Sequence, residues 1–178
     1  MTNGKHDDRG IWRRASWLVP LLVVLGSLSG FLSNSGYSND WFASLAKPDF
    51  MPPGWAFGAA WTALYTMLAL ALATILNEPP SPERRSAIAL FITQIILNFL
   101  WSPVFFAGHD IRLASVILVL ILLLSAITAG KFWRLRPLAG ALMIPYLGWL
   151  IFASLLTRTI DKMNPGAGES LLVKLAGG

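Results

Sequence analysis

The sequence contains no cysteine and has few charged residues. The lack of cysteine excludes a disulfide scaffold, an iron–sulfur cluster, a thiolate metal site and a cysteine nucleophile. Charged residues make up 13% of the 178-residue chain and apolar residues 55%, whereas an ordinary soluble domain has about 25% and about 45–50%. The charges are also unevenly placed, because they are missing from long stretches, and this excludes a water-soluble domain.

Five windows contain no Asp, Glu, Lys or Arg, and each approaches or exceeds the roughly 20 residues that a transmembrane helix needs. None shows the polar face, recurring every third or fourth residue, that a soluble core helix would show. The windows are residues 15–39, 50–77, 86–109, 113–130 and 137–157. The sequence therefore predicts an all-α, polytopic membrane protein with a single bundle of five transmembrane helices.

The segments that separate and flank these windows predict the domain organisation. Residues 1–14 form a polar N-terminal tail, residues 15–164 the five-helix transmembrane domain, and residues 165–178 a flexible C-terminal tail. The first two spans are joined by a long polar and aromatic connection, residues 33–53, which its prolines and glycine keep from being one helix. The predicted helices cover about 15–32, 53–76, 83–106, 111–133 and 137–161.

The basic residues predict how the bundle is oriented. Nine of the 14 fall on the side of the N-terminus and five on the other side. In a cytoplasmic membrane, the positive-inside rule then places the N-terminus in the cytoplasm and the first connection outside; an outer membrane is the alternative. The same residues account for the net charge of +5, so no nucleic-acid partner is expected.

The sequence lacks the residue arrangements that most catalytic mechanisms require. The windows hold no ionisable side chain except His109 at one edge, so no proton relay, voltage sensor or carboxylate ion site is expected. His6 and His109 have no carboxylate at metal-ligand spacing, and Asp110 is interpreted as the N-cap of the fourth helix. We expect no metal site and no required cofactor, and the sequence favours a binding protein over an enzyme.

A GxxxG spacing, Gly26 to Gly30, lies in the first span, and both glycines fall on one helix face and allow close backbone approach. It is compatible with a dimer interface or with packing inside one bundle.

Aromatic residues are abundant, with eight Trp, three Tyr and ten Phe. Trp12, Trp17 and Trp133 lie near predicted helix ends, where tryptophan commonly anchors at the membrane interface. In the second span a stripe forms instead, because Phe57, Trp61 and Tyr65 recur every four residues.

Polar groups and prolines accompany the aromatic residues of the third and fifth spans. Gln94, Asn98 and Trp101 share one helix face, and two amides in hydrocarbon need partners from another helix or from a ligand. Pro103 and Pro145 each remove a backbone hydrogen bond, which frees the carbonyls of Phe99 and Ala141 and bends the helices. Pro145 also shares a face with Trp149 and Phe152. The pattern indicates either a cavity for a flat apolar molecule or a solid aromatic core.

Three motifs resemble those of one membrane protein family. They are WFASLAKPDFMPPGW (residues 41–55) continuing to WTALY (61–65), QIILNFLWSPVFF (94–106), and PYLGWLIFASLL (145–156) followed by Asn164. In this order, on five apolar segments, they are similar to the tryptophan-rich sensory protein and translocator protein family (TspO/MBR, the peripheral benzodiazepine receptor).

The resemblance implies a five-helix bundle, often a homodimer, that binds porphyrins such as protoporphyrin IX, haem intermediates and other flat hydrophobic ligands beneath the first connection. No cofactor is implied, since the porphyrin is a ligand. The positions that match the family's motifs imply a pocket formed by Trp41, Phe42, Pro48, Trp61, Tyr65, Gln94, Asn98, Trp101, Ser102, Trp149, Phe152 and Ala153.

Two departures from the family pattern stand in the fifth span. Thr157 replaces the usual asparagine, which removes an amide from this part of the helix. The cholesterol-recognition pattern is absent, because no basic residue follows Tyr146 before Arg158.

Three functions remain open at this point. The protein regulates tetrapyrrole level or transport, degrades porphyrin in a light-dependent reaction at Trp61 and Trp149, or carries sterols and other lipophiles. For a bound porphyrin, indole faces would stack on the macrocycle, and Lys47 or an arginine near the first connection is a candidate partner for a propionate.

Overall fold

The computed structural model describes residues 8–168, and every regular element in this part of the chain is helical. The α-helices are α1 (Asp8–Leu32), α2 (Asp40–Ser44), α3 (Gly54–Asn77), α4 (Pro82–Ser102), α5 (Ile111–Leu135), α6 (Pro137–Ala141) and α7 (Ile144–Met163); a π-helical turn, Pro103–Ala107, extends α4. Five spans are long and apolar enough to cross a membrane: α1, α3, α4 with its π turn, α5, and α6 with α7. The predicted all-α bundle of five transmembrane helices is confirmed.

The first helix begins at Asp8, seven residues before the predicted start at Ala15. The prediction ended the helix at the last charge, but charged side chains at a membrane interface remain on a helix when their head groups reach water. Arg14 also bonds within the protein, donating to the carbonyl of Gly10 at 3.0 Å and to Asn77 Oδ1 at 2.6 Å. Residues 1–7 and 169–178, with Lys5, His6 and Lys174, lie outside the described residues.

The two prolines interrupt their helices as predicted. Pro103 begins the π-helical turn, and the Phe99 carbonyl that it frees accepts a 2.5 Å hydrogen bond from Ser29 Oγ of α1. Before Pro145 the fifth span divides, since α6 ends at Ala141 and α7 begins at Ile144. The effect at Pro145 is therefore a break rather than the predicted bend.

Helix α3 lies at the centre of the bundle and is the most buried of the five spans. It packs against α1, α4, α6 and α7, while α5 packs against α4, α6 and α7. Successive spans are antiparallel, so α1, α4 and α7 end on one side, which we call the lid side. The connection over this side, residues 33–53 including α2, is called the lid.

Basic residues cap helices on the opposite side, where α3 ends. Arg84 donates to the last-turn carbonyls of Ile75 and Leu76, both at 2.9 Å. Arg136 lies 3.8 Å from the carboxylate of Glu78. These contacts join the end of α3 to the starts of α4 and α6.

The GxxxG spacing of α1 is used inside the chain. A Cβ atom at Gly26 would overlap the ring of Tyr65, so only glycine lets α1 approach α3 this closely. Gly30 faces Ser35 of the lid. This is the intramolecular packing interpretation, and the homodimer stays a prediction.

Asp110 is the N-cap of α5, as predicted, and its side chain accepts from the backbone N–H of Leu113 at 2.9 Å. His109, just before it, has a positive φ of 55° and packs against Trp41. It is a half-buried residue of the turn rather than a fully solvated one.

Candidate functional site

A cavity of about 580 Å³ lies beneath the lid, between α1, α3, α4 and α7. Its volume is in the range of small-molecule sites, about 300–1,000 Å³. Most of its wall is aromatic or small and apolar. The aromatic residues are Phe31, Tyr37, Phe42, Phe57, Trp61, Tyr65, Trp101, Phe105, Phe106 and Trp149.

One aromatic group joins α3 to α7. Trp61 stacks on Tyr65 at 5.2 Å between ring centroids and meets Trp149 edge to face at 6.2 Å. Phe57 meets Trp149 at 5.8 Å, also edge to face. The predicted stripe of Phe57, Trp61 and Tyr65 therefore forms one wall of the cavity, with Trp149 against it.

A second aromatic group lies under the lid at the end of α4. Trp101 stacks on Phe105 at 5.0 Å, and Phe42 of the lid meets Phe105 and Phe106 edge to face at 6.1 and 5.1 Å. The π-helical turn places Phe105 and Phe106 here. The irregularity at Pro103 thus helps to shape the cavity.

The inner end of the cavity rests on a buried hydrogen-bond network. Tyr65 donates to Asn98 Oδ1 at 2.8 Å, and Asn98 Nδ2 donates to the Tyr146 hydroxyl at 3.1 Å. Tyr146 donates to Gln94 Oε1 at 2.9 Å, and Ser125 donates to the same oxygen at 3.1 Å. The partners of the Asn98 amide and of the Gln94 oxygen therefore come from α3, α5 and α7, and Tyr65 and Asn98 also line the cavity.

Two buried polar atoms have no hydrogen-bond partner in the described part of the chain, Trp101 Nε1 and Gln94 Nε2. Trp101 belongs to the cavity wall, together with Ser102, Thr157 and Asn98. Its indole N–H is a donor without an acceptor.

Eight of the twelve predicted site residues lie in the cavity wall. They are Phe42, Trp61, Tyr65, Asn98, Trp101, Ser102, Trp149 and Ala153. The other four are placed outside the wall.

Gln94 and Phe152 lie beyond the cavity for reasons of helix geometry. Gln94 is one turn further from the lid than Asn98, and its fully buried side chain belongs to the network. Phe152 instead lines a second, apolar groove of about 430 Å³ on the outside of α3 and α7, together with Pro145, Gly148 and Trp149. Trp149 therefore separates the groove from the cavity.

Trp41 and Pro48 belong to the lid but not to the cavity wall. The ring of Trp41 stacks on His109 at 4.4 Å and meets Phe105 edge to face at 5.5 Å, and its indole N–H donates to the carbonyl of Ala167 at 3.0 Å. Pro48 is buried within the lid, where its carbonyl accepts from the backbone N–H of Met51. Phe42, which follows Trp41 in α2, lies in the cavity wall instead.

Lys47 does not face the cavity and is occupied within the lid. Its ammonium donates to the carbonyls of Phe42, Ala43 and Leu45 at 2.6, 3.2 and 3.0 Å, at the end of α2. Partial burial lowers the pKa of the Lys47 side chain. The predicted propionate pairing would require Lys47 to leave these carbonyls.

The α1 wall of the cavity was missed by the sequence analysis. Gly26, Ser29 and Gly30 line the cavity, as does Tyr37 of the lid. The GxxxG spacing was interpreted only as a helix contact. A run of small residues beside an aromatic stripe was the signal that could have indicated space between two helices.

The sequence is similar to those of known membrane proteins. The model of the TspO/MBR family matches residues 18–163. A translocator protein of Sus scrofa is 35% identical over 84% of this chain and 92% of its own length. A tryptophan-rich protein TspO of Archaeoglobus fulgidus is 38% identical over 83% and 95%, and protein CrtK of Rhodobacter capsulatus is 36% identical over 71% and 79%.

Proposed function

Because the chain belongs to the TspO/MBR family, we propose that it binds protoporphyrin IX and related flat hydrophobic molecules in the cavity beneath the lid, and thereby regulates the level or transport of tetrapyrroles. It is an integral, multi-pass membrane protein. The observation that carries the proposal is the cavity of about 580 Å³ walled by indole, phenol and phenyl rings.

The wall suits a macrocycle with polar edges. Aromatic rings prefer offset stacking and edge-to-face contacts, and Trp61 and Trp149, at an interplanar angle of 78°, offer a face and an edge side by side. The described wall contains no ionised side chain. The propionates, which hold all the oxygen atoms of protoporphyrin IX, are therefore expected at the open rim.

A titration in the dark tests binding. Purified protein in detergent is titrated with protoporphyrin IX, haem and a sterol, and tryptophan fluorescence quenching gives each dissociation constant. Trp61→Phe and Trp149→Phe are expected to weaken protoporphyrin binding, whereas Trp12→Phe, at the exposed end of α1, is expected to leave it unchanged. Equal affinities in all three variants, or tighter binding of the sterol, would contradict the proposal.

A second candidate function, light-dependent degradation of porphyrin, is supported by one contact. Trp61 and Trp149 lie 6.2 Å apart in the cavity wall, so both indoles would face an excited porphyrin. Protoporphyrin bound to wild-type protein is expected to bleach under illumination faster than protoporphyrin bound to the Trp61→Phe, Trp149→Phe double variant, compared at equal occupancy. Equal bleaching rates would exclude this function and leave binding untouched.

We also propose that the N-terminus is cytoplasmic and the lid external when the membrane is a cytoplasmic one. In the described residues, eight basic side chains lie at the N-terminal side and four at the lid side. Because the chain has no cysteine, Asp40→Cys supplies a unique thiol in the exposed part of α2. Labelling of intact cells by an impermeant maleimide is expected, and protection of the thiol would reverse the orientation.

A further inference from the structure

We propose that Asn164 and Trp41 form a latch that holds the lid closed over the cavity and sets the rate at which a bound molecule leaves. Both are positioning residues, since neither lies in the cavity wall. The ligand part of this inference rests on the proposed function, and the closure of the lid does not.

The first half of the latch is a two-way hydrogen bond to the lid backbone. Asn164, just after α7, accepts from the backbone N–H of Ala46 at 2.8 Å and donates to the carbonyl of Ala46 at 2.9 Å. It also donates to the carbonyl of Ile160 at 2.8 Å, which fixes the amide against α7. One primary amide has the donors and the acceptor for all three bonds.

The second half of the latch is the indole of Trp41. Its N–H donates to the carbonyl of Ala167 at 3.0 Å, and its ring stacks on His109 at 4.4 Å with only 15° between the planes. The indole is thus held between the segment after α7 and the turn before α5. Phe42 follows directly in α2, so the position of Trp41 determines how far the Phe42 ring enters the cavity.

Few other polar contacts tie the lid to the bundle. Within the described residues, three other side-chain hydrogen bonds run from the lid to the bundle. Ser33 and Ser35, at the start of the lid, donate to the α1 carbonyls of Ser29 and Gly30 at 2.6 and 2.9 Å, and Asn39 donates to the carbonyl of Phe106 at 3.2 Å. Phe42 and Leu45 add apolar burial against the ends of α4, α5 and α7. Apolar contact is non-directional, whereas the bonds of Asn164 and Trp41 specify one closed position.

Hydrogen–deuterium exchange of the ligand-free protein tests the latch directly. In Asn164→Ala, exchange of the backbone amides of residues 39–47 is expected to accelerate by about tenfold, because two hydrogen bonds to the lid are lost. Trp41→Phe keeps an aromatic ring for stacking but loses the indole donor, and a smaller acceleration is expected. Thr159→Ala, which loses only a bond to Leu155 on the same helix, is the matched control; exchange as slow in Asn164→Ala as in the control would overturn the latch.

Release of protoporphyrin IX tests its consequence. After dilution of preloaded protein into an acceptor of free porphyrin, Asn164→Ala is expected to release the molecule about tenfold faster than wild type and the Thr159→Ala control. Faster exchange of the lid with an unchanged release rate would show that the molecule leaves between the helices and would overturn the claim about release. Absence of any protoporphyrin binding in wild type would contradict the proposed function, and the exchange experiment would still decide on the latch.

A chemical crosslink separates latching from a general loss of structure. In the cysteine-free chain, Ala46→Cys combined with Asn164→Cys places two thiols at the latch, which a short bifunctional maleimide joins. Before crosslinking, release is expected to be as fast as in Asn164→Ala; after crosslinking of the loaded protein, it is expected to fall to the wild-type rate or below. Fast release after complete crosslinking would refute the role of the latch.

Discussion

The hydroxyl of Tyr146 is the point of the molecule where removing one atom should have the clearest effect. Its side chain is fully buried, and the hydroxyl donates to Gln94 and accepts from Asn98. The change Tyr146→Phe keeps the ring and removes both bonds. Hydrogen bonds between transmembrane helices average about 0.6 kcal/mol and reach about 1.7 kcal/mol, so we expect a loss of about 1–3 kcal/mol in the free energy of unfolding.

For two further tyrosines, smaller losses in the free energy of unfolding are expected. Tyr65→Phe removes one network bond, to Asn98, and is expected to cost about half as much as Tyr146→Phe. Tyr37→Phe removes an exposed 3.2 Å bond to the carbonyl of Pro52 within the lid, and a change below about 0.5 kcal/mol is expected. Unfolding by sodium dodecyl sulfate in mixed micelles, followed by near-ultraviolet circular dichroism, measures all three.

A double-mutant cycle tests whether the hydroxyl acts through its network. Gln94→Leu replaces the amide by an apolar side chain, and combined with Tyr146→Phe it is expected to cost at least about 0.5 kcal/mol less than the sum of the single changes. Additive costs, or a Tyr65→Phe variant less stable than Tyr146→Phe, would refute the reasoning.

Two more predictions concern the contact of α1 with its neighbours. Gly26→Ala is expected to lower both stability and protoporphyrin affinity, because the added methyl group displaces the Tyr65 ring. Gly130→Ala, on α5 outside the cavity wall, has open space around its Cβ and is expected to be tolerated. Thermal unfolding and the dark titration measure both variants, and a Gly26→Ala protein as stable and as tightly binding as Gly130→Ala would contradict this packing. Ser29→Ala leaves the carbonyl of Phe99 without its donor and is expected to cost about 1 kcal/mol, measured in the same micelles; a cost near zero would mean that water replaces the hydroxyl.

The membrane spans could be predicted well because the cause is simple: hydrocarbon excludes charge, and backbone polar groups in it require helices. The start of α1 could not be predicted in this way, because the last charged residue before an apolar window marks the edge of the hydrocarbon and not the end of the helix. Asp8 and Arg14 are helical residues in the interface, and Arg14 reaches Asn77 through a contact between two distant parts of the chain.

The effects of the two prolines were also predictable only in part. That Pro103 and Pro145 disturb their helices follows from their missing N–H. Whether the disturbance is a π-helical turn or a break depends on the neighbours. At Pro103 the freed carbonyl of Phe99 meets Ser29 of α1, and no spacing within α4 contains that information.

The cavity wall could be predicted where its residues share a helix face and not where they are joined by tertiary contacts. Phe57, Trp61 and Tyr65 form a wall because four residues make about one turn. Trp41 was expected in the pocket because of its position in the first motif. Its indole N–H instead donates to the carbonyl of Ala167, 126 positions later in the sequence. Its role as a lid contact could be recognised only after the fold was known.

The central claim, that the aromatic cavity beneath the lid is where the ligand lies, is tested most directly by filling it. Ala153 lines the cavity on α7, and Leu155, two residues later, is exposed on the outer face of the same helix. Dark titration with protoporphyrin IX is expected to show that Ala153→Phe weakens binding by about tenfold or more, roughly 1.4 kcal/mol, while Leu155→Phe binds as wild type does. Equal affinities in the two variants, or a loss confined to Leu155→Phe, would contradict the account.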